Sequence, residues 1–237
     1  MKKKIIEFVP FIAMLFASAV TLIIYLVAMQ QNDAVKILEA CVAPLIPLII
    51  PLLNRILNIR IPFAFNVVLT VFSFTAIDFA SVLDFYGTIP HFDKVMHTAF
   101  GIVGAFGIFI FLLYGNGSKL KPWCFFLLIL LSVLGMAAIW EIYEFIASSI
   151  IGSDMQGWLP DLSKFGDMTV KEFFSNYNPL WDTIWDIIVA AFGVFIFYGL
   201  VIIDKFCGYK VCKSIYEQVN FRNNKELKEN EPEITKL

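Results

Sequence analysis

Charge is what this sequence has least of. Asp, Glu, Lys and Arg make up 16% of its 237 residues, against 59% apolar residues, too little for the solvated surface of a water-soluble domain of this size. The few basic residues stand in small scattered groups and form no basic face, which excludes nucleic acid as a partner. Histidine occurs only twice, as His91 and His97, and cysteine four times. Cys41, Cys124, Cys207 and Cys212 have neither metal-finger nor disulfide-framework spacing, and free thiols are expected. No internal repeat supports an inverted-repeat transporter fold.

What the chain has instead is long apolar runs, with a mean hydropathy of +0.77. Runs of about 20 apolar residues indicate membrane spans. Six are expected, over residues 5–29, 37–57, 61–83, 91–114, 122–151 and 179–203, so the fold class is all-α: a polytopic membrane helical bundle whose first partner is the lipid bilayer. The opening Lys2-Lys3-Lys4 imitates a signal peptide, but the run behind it exceeds the ~7–15 residues of a signal core. An uncleaved first span is expected. Pro44, Pro47 and Pro51 remove helix donors and should kink or break the second span. Residues 1–204 form the membrane domain, and the polar stretch 205–237 is expected to be a disordered tail. Thr169-Val170-Lys171-Glu172, in the long loop 152–178, has a capping-box pattern that suits a short surface helix or lid.

Basic residues fall on alternate connections: Lys2–Lys4, then Arg55 and Arg60, Lys119 and Lys121, and Lys205, Lys210 and Lys213. The positive-inside rule puts both termini in the cytoplasm. A bacterial cytoplasmic membrane is the expected location.

That topology gathers acids at the outer end of four spans. Asp93/His97 and Asp182/Asp186 are i,i+4 pairs and Glu141/Glu144 is an i,i+3 pair, so each projects from one helix face. At 1.5 Å per residue His97, Asp78, Glu144 and Asp186 lie roughly 9–12 Å below the outer surface, and Glu141 roughly 16 Å below it. Small residues continue the same faces, at Gly101, Gly104, Ala137, Ala190 and Gly193, so the acidic faces are expected to turn toward one another. Trp140, Trp181 and Trp185 flank the acids as indole donors or an interfacial belt. Each intramembrane charge costs about 2.5–3.5 kcal/mol, and apart from the two histidines Lys94 is the only basic side chain near. Protonation, a water-filled cavity or a bound cation can offset that cost. A divalent metal answers the excess of carboxylates most directly, and imidazole with carboxylate suits zinc, manganese or iron. The candidate metal ligands are Asp93, His97, Glu141, Glu144, Asp182 and Asp186. His97, Glu141, Glu144 and Asp186 are the candidate catalytic residues. Asp78, Asp84, His91 and Gln156 are secondary candidates.

The motifs Asp93-x-x-x-His97-x-x-x-Gly101, Trp140-Glu141-x-x-Glu144, Gln156-Gly157 and Trp181-Asp182-x-x-x-Asp186 resemble those of a bacterial inner-membrane protein family typified by YjdF. More distantly, Asp93-Lys94-x-x-His97 is similar to VanZ-like proteins. The resemblance covers about residues 84–195 and implies an architecture and site residues without a reaction. An insertion between Gln156-Gly157 and Trp181 departs from the family pattern. Three function classes stay open. One is a metal-dependent membrane-embedded hydrolase or transferase acting on a lipid-linked or envelope substrate, with metal-bound water as nucleophile and a carboxylate such as Glu144 as base. The others are a proton or metal-ion transporter and a non-enzymatic envelope binding or scaffolding protein.

Overall fold

The computed structural model describes residues 6–56, 60–151 and 180–219. Gln156 and the capping-box segment 169–172 lie outside the described residues. No strand occurs among the described residues. The helices are α1 (Val9–Ala28), α2 (Ala34–Ile56), α3 (Phe63–Val82), the single turn α4 (Phe85–Thr88), α5 (Phe92–Tyr114), α6 (Pro122–Ile151), α7 (Leu180–Phe206) and α8 (Lys210–Val219). Six of them, α1, α2, α3, α5, α6 and α7, are long and apolar enough to cross a membrane. Long apolar side chains such as Phe16, Val27, Phe111, Ile150 and Phe192 point outward, as a lipid-facing surface requires.

Local chemistry explains where the spans begin and bend. Asp33 caps α2, its Oδ1 accepting from the backbone N–H of Val35 at 2.7 Å, which satisfies a donor that the first helical turn leaves over. Pro44 and Pro47 break α2 as expected: residues Ala43–Leu48 tighten into a 3₁₀ segment, because each ring lacks the donor that an α-helical turn needs. In the opposite sense, the last turn of α1 (Ile24–Ala28) and the second half of α3 (Phe74–Val82) widen into π-helix.

The tightest helix pair is α5 with α7. A Cβ on Gly101 would stand 2.0 Å from the Ala190 carbonyl oxygen, and one on Gly193 would stand 2.2 Å from that of Thr98. The two backbones therefore touch, as small residues permit in membrane bundles. Away from this crossing, Ala105, Phe109, Leu113, Ile129, Val133, Val194 and Phe197 fill a common core with α6, and Phe109 meets Phe197 edge to face at 5.6 Å. A smaller cluster of Tyr25, Ala40 and Val82 joins α1, α2 and α3.

The tail differs from expectation. α7 runs to Phe206, and after a turn at Gly208 (φ 87°) and Tyr209 (φ 55°) residues Lys210–Val219 form α8. They are ordered because Cys212, Ile215 and Val219 recur on one face and enter the core under α5. Asp204 fixes the entry, accepting from the N–H of Val211 at 3.0 Å and of Cys212 at 2.8 Å. Burial, and then the neighbouring Asp204, push the Cys212 thiol up to about 12. At pH 8 such a thiol is about one part in 10⁴ thiolate, and the thiolate is the reactive form. Native protein treated with iodoacetamide at pH 8 should therefore alkylate at exposed Cys207, with Cys212 reacting only after unfolding. Peptide mass spectrometry reads both sites, and equal labelling in the native state would mean that α8 does not dock.

Candidate functional site

Three helix segments converge at one end of the bundle. α5 contributes Asp93, Lys94 and His97 from its first two turns, and α7 contributes Asp182 and Asp186 from its own. α6 contributes Glu141 and Glu144 from its C-terminal half. The Gly101–Gly193 contact lies one turn beyond His97 and two turns beyond Asp186, so it holds the two acid-bearing turns face to face. His97, Glu141, Glu144 and Asp186 are all buried.

The centre of the first half of the site is Lys94. Its Nζ donates to Asp93 Oδ2 at 3.0 Å, to Asp186 Oδ1 and Oδ2 at 2.8 and 2.9 Å, and to Asp182 Oδ1. One ammonium thus serves three carboxylates, the charge-assisted pairing that a low-dielectric setting requires. His97 stands at the edge of this group, with Nε2 3.4 Å from Asp93 Oδ1 and 3.9 Å from Asp186 Oδ1. Lys94 is absent from the expected set of site residues. The signal for it was its sequence position beside Asp93, combined with an arm long enough to reach α7.

The second half is poorer in partners. Glu144 Oε1 accepts from the Trp140 indole Nε1 at 2.8 Å, so the expected indole donor is present. Glu141 faces Thr183 of α7, yet both of its carboxylate oxygens are buried without a hydrogen bond of ordinary geometry. An uncompensated buried acid of this kind is costly.

Among the described residues, two sets of side chains can offer ligand atoms to one metal ion. Asp93, His97 and Asp186 form one, and His97, Glu141 and Glu144 the other, with the atoms of each set within 4.8 Å of one another. His97 belongs to both. In the first set the Lys94 ammonium already bonds Asp93 and Asp186. The second set contains no such bond to a cationic side chain.

Residues 11–205 match the model of a family described as "Predicted membrane protein (DUF2238)". The chain belongs to that family. No curated protein matches it, and no solved structure does. The DUF2238 match begins at residue 11 and so takes in α1 and α2, which the motif resemblance over residues 84–195 leaves out.

Of the secondary candidates in this DUF2238 chain, Asp84 and His91 lie apart from the cluster. Both are exposed turn residues in the left-handed region, at φ 62° and φ 60°, where Asp and His are enriched among non-glycine residues. Asp84 pairs with Lys36 of α2 at 3.5 Å. Asp78 is fully buried but on the other side of the bundle, bonded to Ser18 of α1. It belongs to neither ligand set. Beside the cluster, Tyr86 of α4 packs on Phe92 with ring centroids 6.1 Å apart. Partial burial, followed by the charges of Asp93 and Glu144, pushes its phenol above the ordinary value, so it remains a neutral hydrogen-bond donor at physiological pH.

Proposed function

We propose that this protein is a metal-dependent enzyme of the bacterial cytoplasmic membrane, a hydrolase or transferase that acts from the outer leaflet on a lipid-linked or envelope substrate. His97 and Glu141 are the principal ligands of a divalent ion (zinc, manganese or iron), with Glu144 beside them. Bound there, such an ion supplies Lewis acidity and lowers the pKa of water. Glu144 is the general base: the Trp140 indole anchors one of its oxygens and leaves the other to take a proton from attacking water. Asp93 and Asp186 orient the His97 imidazole by standing against its Nε2. Lys94 balances the charge of Asp93, Asp182 and Asp186, which keeps that half of the site closed to a second ion.

A single observation carries this reading: both carboxylate oxygens of Glu141 are buried without a hydrogen bond of ordinary geometry, beside an imidazole and a second carboxylate. Access for an alkyl chain adds support. An apolar cleft of about 180 Å³ lies between α3, α5 and α6, walled by Phe65, Phe72 and Met136 and floored by Gly104 and Gly107. Gly104 is two turns from His97 on the same face of α5, and Met136 precedes Trp140 by one turn on α6. A hydrocarbon tail in this cleft would bring the head of its lipid to the ligand set.

Elemental analysis of the purified chain, after exchange with zinc, manganese and iron in turn, tests the proposal. About one equivalent of one metal is expected, with affinity falling at least ~100-fold in His97→Ala and about 10-fold in Trp140→Phe. No stoichiometric metal under any of the three exchanges would sink it.

A further inference from the structure

α3 carries a buried polar line that the metal centre does not use. Asn66, Thr70, Ser73 and Asp78 are each 9% exposed or less, in a helix whose other positions are mostly aliphatic and aromatic. In a regular α-helix Asn66, Thr70 and Ser73 fall within about 60° of one another, but Asp78 falls about 120° from Asn66. The structure removes that mismatch. From Phe74 to Val82 the helix is π-helical, and the Leu83 N–H reaches back five residues to the Asp78 carbonyl at 3.0 Å. The extra residue per turn rotates Asp78 back onto the buried face.

On that face Asp78 Oδ2 accepts from Ser18 Oγ of α1 at 3.1 Å, with Thr21 of α1 beside it. Asp78 Oδ1 is buried without a partner, and so is Asn66 Oδ1 at the other end of the line. Beyond Asp78, Ser81 Oγ donates to Glu39 Oε2 of α2 at 2.5 Å. From Asn66 to Ser81 the polar positions cover roughly 20 Å of a ~30 Å hydrocarbon core. Against them packs the proline-broken 3₁₀ segment of α2. The titratable groups that neighbouring elements bring to this part of α3 are Tyr25 of α1, Glu39 and Lys36 of α2, and Asp84 in the turn before α4.

We propose that the α1–α3 half of the bundle conducts protons along this line, with Asp78 as the group that binds and releases each one. The chemistry selects a proton over a metal ion. One carboxylate and two hydroxyls are too few oxygens for a calcium-like cation, which takes 6–8 ligands. A carboxyl and a hydroxyl both donate and accept, so each can take a proton on one side and give it up on the other. Intramembrane carboxylates in polar lines are the usual parts of proton relays. The proton binds the free Oδ1 and forms an O–H bond there; the carboxyl then releases it toward the Ser81 hydroxyl, which passes its own proton to Glu39, so each O–H bond formed is matched by one broken. This inference stands apart from the metal centre, which lies on α5, α6 and α7.

The test uses the full chain reconstituted in liposomes that hold a pH-sensitive dye, with valinomycin and a potassium gradient setting the membrane potential. Internal acidification at least ~10-fold faster than in empty liposomes is expected, falling to background in Asp78→Asn and unchanged in Glu217→Gln on α8. Ser18→Ala removes only the hydroxyl that bonds Asp78 and guards against misfolding of the Asp78 variant; flux should drop several-fold while its melting profile stays that of the wild type. Flux equal to that of empty liposomes would overturn the proposal. So would flux untouched by both substitutions, or flux that follows a sodium gradient at fixed pH.

Discussion

Replacing Lys94 with alanine is expected to destabilise the folded protein by about 3–5 kcal/mol. The ammonium it removes is the common partner of Asp93, Asp182 and Asp186, and Asp186 is only 1% exposed. Breaking a buried ion pair from one side leaves the other charge uncompensated, which costs more than the pair itself was worth. Here three carboxylates share that fate. The variant should recover part of its stability when a divalent cation is added, because Asp93, His97 and Asp186 are close enough to hold one. Chemical unfolding in detergent, with and without manganese, measures both effects. A Lys94→Ala protein within 1 kcal/mol of the wild type would show that water, and not the lysine, neutralises the cluster.

Gly193→Val is the second large effect. Its Cβ would stand 2.2 Å from the Thr98 carbonyl oxygen and 2.9 Å from the Gly101 Cα, so α5 and α7 must part. A loss of about 3 kcal/mol is expected from such overpacking, together with loss of the metal affinity proposed for His97 and Glu141, although no ligand is altered. Gly199, two turns along the same helix, has nothing within 4 Å of its Cβ position. Gly199→Ala should therefore be neutral or stabilising by about 0.5–1 kcal/mol, the helix-propensity difference alone. Unfolding midpoints of the two variants and metal titration of the first make the comparison. Similar behaviour at both glycines would show that the α5–α7 crossing is looser than backbone contact.

Much of this was legible in the sequence because the relevant periods are local. Apolar runs of span length coincide to within a few residues with the six helices long and apolar enough to cross a membrane, and the helix repeat put His97, Glu141, Glu144 and Asp186 on faces that the small residues turn inward. The exceptions each have a cause that no helical wheel contains. Lys94 is rotated about 100° from Asp93 on an ideal helix, and two of its three carboxylate partners lie 88 and 92 residues away. Only the long, flexible lysine arm joins them. Asp78 was counted with the outer acids by depth alone, but its azimuth is set by a π-helical stretch, which has no clear sequence signature. Asp84, between two expected spans, and His91, at the start of one, were secondary candidates by nearness in sequence, and both stand at exposed turns. α8 was hidden by averaging: residues 205–237 are polar as a whole, yet Val211, Cys212, Ile215 and Val219 follow a helical spacing inside them.

The Asp93–Lys94 contact also bears on how the protein is made. Chains enter the membrane from the N-terminus, so α5 must insert before Asp182 and Asp186, 88 and 92 residues downstream of Lys94, have been synthesised. Asp93 and Lys94 are adjacent and already paired at 3.0 Å, so the nascent helix brings its own counter-ion and inserts with little net charge. α6 has no such provision, since the Trp140 indole serves one oxygen of Glu144 and nothing within that helix serves Glu141. The step at which insertion is most exposed to failure is therefore the interval between α6 and α7, when a membrane chaperone or the translocon itself has the most to shield.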